Sequence, residues 1–290
     1  MAHPYSAYWA DRESPKSVTE PDEFHGGSEL AVSCTQTALK AGEQRRLVAR
    51  WCEALPTLGA VTHLWFQSRV PQELLDAACR MPNLVGLFIK WSGIRSIESL
   101  PALRKLTALH IGSSTGIRSI EPLVLMKGLR HLSLENIKRV KDLAPLARLQ
   151  GLRQLSTIGS FPDTHWEVET LEPMGKLASL EYLNLAMLRP KSKSLRPLGS
   201  LSTLRFLGLD NRLPMAEYAW LSRRLPHTEC RRFAPYVHLG DSWGIECRKC
   251  KSSKNMVQVT GKGGPFLCEK CDSARLSKYV DAFKVAANAP

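Results

Sequence analysis

Four cysteines near the carboxyl end have the spacing of a metal site. They read Cys247-x2-Cys250, then 17 residues, then Cys268-x2-Cys271. A Cys-x-x-Cys turn presents two sulfurs from one tight knuckle, and two such turns supply the four corners of a tetrahedron. Zinc prefers that thiolate set and is the expected cofactor; iron fits the same four ligands, with nothing in the sequence to favour it. The competing reading is two unrelated thiol pairs or a redox pair, but a redox Cys-x-x-Cys normally occurs once and beside a βαβ pattern. A closed set of four leaves no open position for substrate, so the metal is expected to hold structure.

The residues between the pairs suit a hairpin. Met256, Val257 and Val259 lie on one strand, Gly261 to Gly264 make the turn, and Phe266 and Leu267 return. So small a unit lacks a sufficient apolar core, and the metal would supply much of its folding energy. Arg248, Lys249, Lys251 and Lys270 offset the charge of four thiolates. The remaining cysteines, Cys34, Cys52, Cys79 and Cys230, have no ligand spacing and read as buried or idle thiols. No Ser/His/Asp set, paired carboxylates or complete phosphate-binding glycine loop accompanies them, so catalysis is not expected.

The elements that carry the rest of the chain are repeats. Leu-x-x-Leu-x-Leu recurs as Val61/Leu64/Phe66, Leu84/Leu87/Ile89, Leu106/Leu109/Ile111, Leu129/Leu132/Leu134, Leu152/Leu155/Thr157, Leu180/Leu183/Leu185 and Leu204/Leu207/Leu209. Successive copies are offset by 23, 22, 23, 23, 28 and 24 residues. Within each copy the alternation suits a short strand with one face buried. Beyond it the apolar residues fall every third position, as in Ile94, Ile97, Leu100, Leu103 and Leu106, which stacks them on one face of a 3₁₀ turn. Prolines at 101, 122, 145, 173 and 197 discourage longer helices there.

This pattern resembles the short-repeat leucine-rich family that includes the internalins and a nuclear phosphatase regulator. The resemblance covers about half of the chain. It implies an α/β solenoid: a curved leucine-rich repeat array with a parallel sheet on its concave face, followed here by a small zinc-ribbon domain. One departure is that the family's buried asparagine is replaced by Ser92, Ser114, Ile137, Ser160, Leu188 or Arg212. The turns must then satisfy their backbone groups another way.

The sequence divides into a flexible tail over 1–39, a capping helix within 40–60, the solenoid with its far cap over 61–240, and the ribbon with a carboxyl-terminal helix over 241–290. In the tail, Tyr5, Tyr8 and Trp9 are a candidate docking motif set against an uninformative flexible end. The long step between the fifth and sixth copies contains Phe161, His165 and Trp166, which either contact a partner or, for Trp166, cover a gap on the convex side. The ribbon is expected to leave the solenoid core independent of it.

At 290 residues and 43% hydrophobic, the chain has material for a sizeable core, and its net charge of +13 raises the question of nucleic acid. Strand residues flanking the leucines face the concave surface, and Lys90 is the one Lys or Arg among those 21 positions. That face is therefore not a nucleic-acid groove. Trp65, Phe88 and His110 share a column on it, with Lys90 and Trp91 at its border, and form the expected protein-binding site. The alternative packs Trp65 and Phe88 beneath the amino-terminal cap. The positive charge gathers towards the carboxyl end, where Arg231, Arg232, Lys249 and Lys251 are candidate phosphate contacts.

The leading expectation is a protein-recognition or adaptor module with the ribbon as second docking unit. The alternative is a nucleic-acid-associated factor gripping phosphates through the basic cap and ribbon. No apolar run is long enough to span a bilayer, and the amino terminus lacks a secretory h-region. A cytoplasmic protein is expected.

Overall fold

A computed structural model describes residues 7–159, 166–240 and 243–289. Its spine is an eight-stranded parallel sheet. The strands in chain order are β1 (Glu29–Val32), β2 (His63–Phe66), β3 (Gly86–Ile89), β4 (Ala108–Ile111), β5 (His131–Glu135) and β6 (Gln154–Ile158). A short strand β7 (Trp166–Val168) precedes β8 (Tyr182–Asn184), and β9 (Leu188–Pro190) precedes β10 (Phe206–Gly208). β7 and β9 pair with each other outside the main sheet. Leu64, Leu87, Leu109, Leu132, Leu155, Leu183 and Leu207 stand opposite one another through successive ladders. All seven are buried, so each repeat closes its neighbour's core.

The returns behave as a step of three dictates. The turns Leu100–Ala102, Glu121–Leu125, Ala144–Arg148 and Arg196–Ser200 are 3₁₀, each with proline in its first two positions. There the missing N–H of proline costs no hydrogen bond. Where proline stands just outside, after β2, the return is a true helix, α3 (Gln72–Ala78), and after β7 a single α-helical turn, α4 (Glu172–Gly175), forms with Pro173 inside it. Serines answer the missing asparagines in part. Ser92 and Ser114 bond each other through their hydroxyls at 2.6 Å, and Ser114 Oγ donates to Gly112 O at 2.6 Å.

The amino end differs from the flexible tail expected over 1–39. Residues 29–32 are strand β1, which covers the open hydrogen-bonding edge of β2 and buries Leu30 and Val32 in the core. A one-turn helix, α1 (Ala7–Ala10), lies upstream of it. The capping helix α2 (Ala41–Ala54) buries Leu47, Val48 and Trp51, and the Trp51 indole donates to Thr19 O at 2.7 Å.

The carboxyl end also differs. The last repeat is followed by α5 (Met215–Arg224), then by β11 (Tyr236–His238), β12 (Met256–Val259) and β13 (Phe266–Cys268), and by α6 (Ser273–Ala287). β11, inside the segment expected to belong to the solenoid cap, pairs antiparallel with β12 and makes the ribbon three-stranded. Helix α6 packs along α5. Its Leu276 joins the ribbon cluster of Val257, Val259 and Leu267, while its Phe283 lies in the solenoid's main core. The expected independence of the solenoid core from the ribbon is therefore corrected: one helix is shared by both. Asn211 adds a polar clamp, donating to Val259 O at 2.9 Å and accepting from Gly261 N at 2.6 Å. Gly261, at φ +112°, lies so close to Met215 of α5 that a side chain there would be obstructed. Among the described residues, no helix is long and apolar enough to cross a membrane.

Candidate functional site: the cysteine cluster and the concave face

The ribbon hairpin brings both knuckles together. The sulfurs of Cys247, Cys250, Cys268 and Cys271 all lie within 4.8 Å of one another. Cys250 Sγ and Cys268 Sγ are 3.7 Å apart, close to the edge of about 3.8 Å that a tetrahedron with metal–sulfur bonds of about 2.3 Å requires. The first knuckle is set by local turns. Lys251 adopts a left-handed φ of 56° and its N–H donates to Cys247 O at 2.8 Å. At the second, Cys268 N donates to Asp272 Oδ2 at 3.0 Å.

Backbone N–H groups of Cys250 and Lys249 point at Cys247 and hold its thiol down to about 7. Cys271 is pushed up to about 12, first by its hydrogen bond with Cys250 and then by burial. Thiolates crowded this closely repel one another, and a divalent cation among them removes that repulsion. Leu239 and Met256 pack around Cys247 and Cys268, keeping water from two of the sulfurs. The donor set and spacing fit a metal ion.

On the concave side, Trp65, Phe88 and His110 stand side by side in β2, β3 and β4, and Ser133, Ser156 and Asn184 continue their column. All three of the expected anchors are buried. What covers Trp65 and Phe88 is the chain's own amino-terminal segment rather than the capping helix. The Trp9 indole meets Trp65 edge-on at 5.8 Å and Phe88 at 5.4 Å. It sits among the small residues Ala31 and Ala108. Gly86 completes that socket: a Cβ there would clash with the His63 ring and stand 3.1 Å from the indole. Tyr8 stacks on His131 at 4.5 Å, its hydroxyl pairs with His63 Nε2 at 2.8 Å, and its N–H donates to Gln154 Oε1 at 3.0 Å. Lys90 is exposed and Trp91 is 41% exposed at the border.

Further along the same face, Tyr182 and Phe206 stack at 4.7 Å and remain half-buried. Sequence reading placed both in a column without singling them out. The repeat register that pairs Leu183 with Leu207 sets these two rings side by side, and that was the signal available to find them. The insertion residues Phe161 and His165, and Tyr5 of the tail, lie outside the described residues. Trp166 is buried in the core, its indole donating to Val140 O at 2.6 Å.

The four basic candidates are not alike. Arg232 is half-buried between solenoid and ribbon, donating to Gln258 Oε1 at 2.9 Å, and Lys249 pairs with Asp272 at 2.9 Å. Arg231, which donates to His238 O at 3.3 Å, and Lys251 are exposed.

Burial lowers His110 to about 3, and burial first also lowers His63 and His131, with Arg12 beside both. Arg130 and Arg153 act on His131 in the same direction, while Glu29 opposes the effect at His63. These folded values lie below the unfolded one of about 6.5. The unfolded chain therefore takes up protons that the folded chain refuses, and stability, full above about pH 6.5, falls on acidification. Going from pH 7 to pH 5 is expected to cost about 2 kcal/mol through His110. Melting curves of wild type and His110→Phe across this range check it, since the variant should show a flatter slope.

The parallel ladder, the buried leucine columns and the 3₁₀ returns define the class: a curved leucine-rich repeat solenoid, with a small cysteine-cluster domain at its carboxyl end. No protein-family model matches the chain, and a search of curated proteins finds no match. Among solved structures it is similar to an internalin (inlF) of Listeria monocytogenes, with 19% identity and a TM-score of 0.42, covering 63% of this chain and 54% of that one. An internalin C2 of the same species aligns with 17% identity and a TM-score of 0.35, covering 55% and 75% of the two chains. A leucine-rich repeat protein of Leptospira interrogans aligns with 15% identity and a TM-score of 0.35, covering 61% and 50%. The chain thus spans about half the length of the first internalin.

Proposed function

We propose that this chain is a protein-recognition module that holds its partner on the concave face of the solenoid, with zinc in the four-cysteine site. The observation that carries the reading is the stacked, half-buried Tyr182–Phe206 pair on a sheet whose strands carry no Lys or Arg, Lys90 standing just past the end of β3. Flat rings with exposed edges, on a rigid sheet, are the usual anchors of protein interfaces. Zinc suits four thiolates at tetrahedral spacing, and it fastens a ribbon whose Phe266 and Trp243 are exposed. Those two rings make the ribbon a second docking unit. A cytoplasmic setting, in which thiols and thiolate ligands persist, goes with this reading.

Photo-crosslinking tests it. A photoreactive amino acid at Tyr182 or Phe206 is expected to give a discrete protein adduct that the same group at the convex position Arg148 does not. Identical adduct patterns from the concave and convex positions would remove the concave face from the interaction.

A further inference from the structure

We infer that the amino half of the concave face is a receptor for a short peptide segment combining an aromatic anchor with an acidic side chain, and that residues 8–14 of this chain are its resting occupant. The inference rests on the reading of the concave face as a protein-recognition surface and says what that surface recognises.

The seat is a discrete one. Trp9, Ala31, Trp65, Phe88 and Ala108 form a cluster of their own, separate from the main core. The small side of that socket (Ala31, Gly86, Ala108) admits an indole, and its aromatic side (Trp65, Phe88) grips it. The occupant is lightly tied. Among the described residues, the first backbone–backbone hydrogen bond from this end of the chain to the sheet comes at Val18, which donates to Ala31 O at 2.9 Å. Before it, the attachments run through side chains: Tyr8 with His63 and Gln154, Ser14 with Gln67 at 2.9 Å, and the solvent-facing Arg12–Glu29 pair at 3.5 Å. A segment held in this way can leave without breaking a β-ladder.

The fit is also incomplete. Trp9 Nε1, His131 Nδ1 and Ser133 Oγ are buried without hydrogen-bond partners, and each loses its hydration for nothing in return. A cavity of about 410 Å³ remains beside the docked segment, lined by Trp9, Glu13, Trp65, Phe88 and Lys90. A ligand that fills this space, or one that gives the buried polar atoms partners, would outbind the resident segment. Lys90 stands at the cavity with Glu13 of the occupant, which gives the acidic part of the ligand its counterpart.

A synthetic peptide of residues 7–16 is the probe, titrated by fluorescence anisotropy against the full-length chain and its variants. In the Tyr8→Ala/Trp9→Ala variant the seat is empty, and saturable binding is expected. Wild type should bind about 10- to 100-fold more weakly, because a tethered occupant competes at an effective concentration of order millimolar. Adding Gly86→Val, which fills the socket, or Lys90→Glu, which reverses the exposed charge, to the emptied variant should each lower affinity about tenfold or more. Thermal melts confirm folding of each variant. Failure of the folded, emptied variant to bind the probe, or equal binding by wild type, overturns the inference; indifference to Lys90→Glu overturns its acidic part. Crosslinking at Tyr182 and Phe206 reports on the carboxyl half of the face, so the broader recognition reading can stand or fall separately.

Discussion

Removing the proposed zinc, by chelation or by Cys268→Ser with Cys271→Ser, is expected to unfold the ribbon and to lower the melting temperature of the solenoid as well. The first effect follows from size. The ribbon's own apolar clusters gather around a few side chains, whereas binding of a structural zinc contributes about 10–16 kcal/mol to small domains of this kind. The second effect follows from α6. It begins directly after the last cysteine, with Asp272 as its N-cap, and in its carboxyl-terminal half places Phe283 in the solenoid core. When the ribbon opens, α6 loses its anchor, α5 loses the helix packed along it, and Phe283 is withdrawn from the solenoid core. Loss of a packed phenylalanine costs about 3–5 kcal/mol, which for a domain of this size corresponds to roughly 10 °C. Metal analysis together with two-wavelength melting separates the parts. One equivalent of zinc lost with an unchanged solenoid transition would show that α6 holds without the ribbon. Unchanged metal content in the double variant would show that these cysteines are not the ligands.

Trp65→Ala is expected to cost about 2 kcal/mol of stability, whereas Trp91→Ala should stay within about 0.5 kcal/mol. The two tryptophans differ in burial: Trp65 is 2% exposed beneath Trp9, and Trp91 is 41% exposed at the rim. The Trp65 cost is bounded by the docking free energy of the amino-terminal segment, because that segment can detach once its seat is damaged. Below that bound the leucines of the main core are untouched. Urea titration of both variants beside wild type checks the difference. Equal midpoints for Trp65→Ala and wild type would mean that residues 8–14 do not rest on the sheet in solution.

The sequence by itself determined the parts of this protein that repeat or that depend on short spacing. Strand register was legible because Leu-x-x-Leu-x-Leu recurs at a nearly fixed step, and stacking identical units aligns Leu64 with Leu87 and Leu109. Four of the returns were legible as 3₁₀ from an apolar beat of three with proline at the start, while the same pattern at Glu172–Gly175 makes one α-helical turn. The cysteine cluster was legible because each knuckle is a four-residue turn and one hairpin joins the two.

Tertiary structure decided what no period announces. β1 carries no repeat motif and is a strand because the edge of β2 needs a partner. β11 reads as the tail of a cap and becomes the ribbon's third strand through pairing with β12. Phe283 looks like one apolar residue of an amphipathic helix, and only the packing of α6 on α5 places it in the solenoid core. The concave aromatic column was predicted in register, with burial beneath the amino-terminal cap as the alternative, but the segment that covers it was not. Tyr8 reaches Gln154 across 146 residues of chain, and Trp9 reaches Trp65 across 56. Contacts of that separation leave no trace in local spacing, because they form only after the repeats have stacked and made the surface that the segment covers.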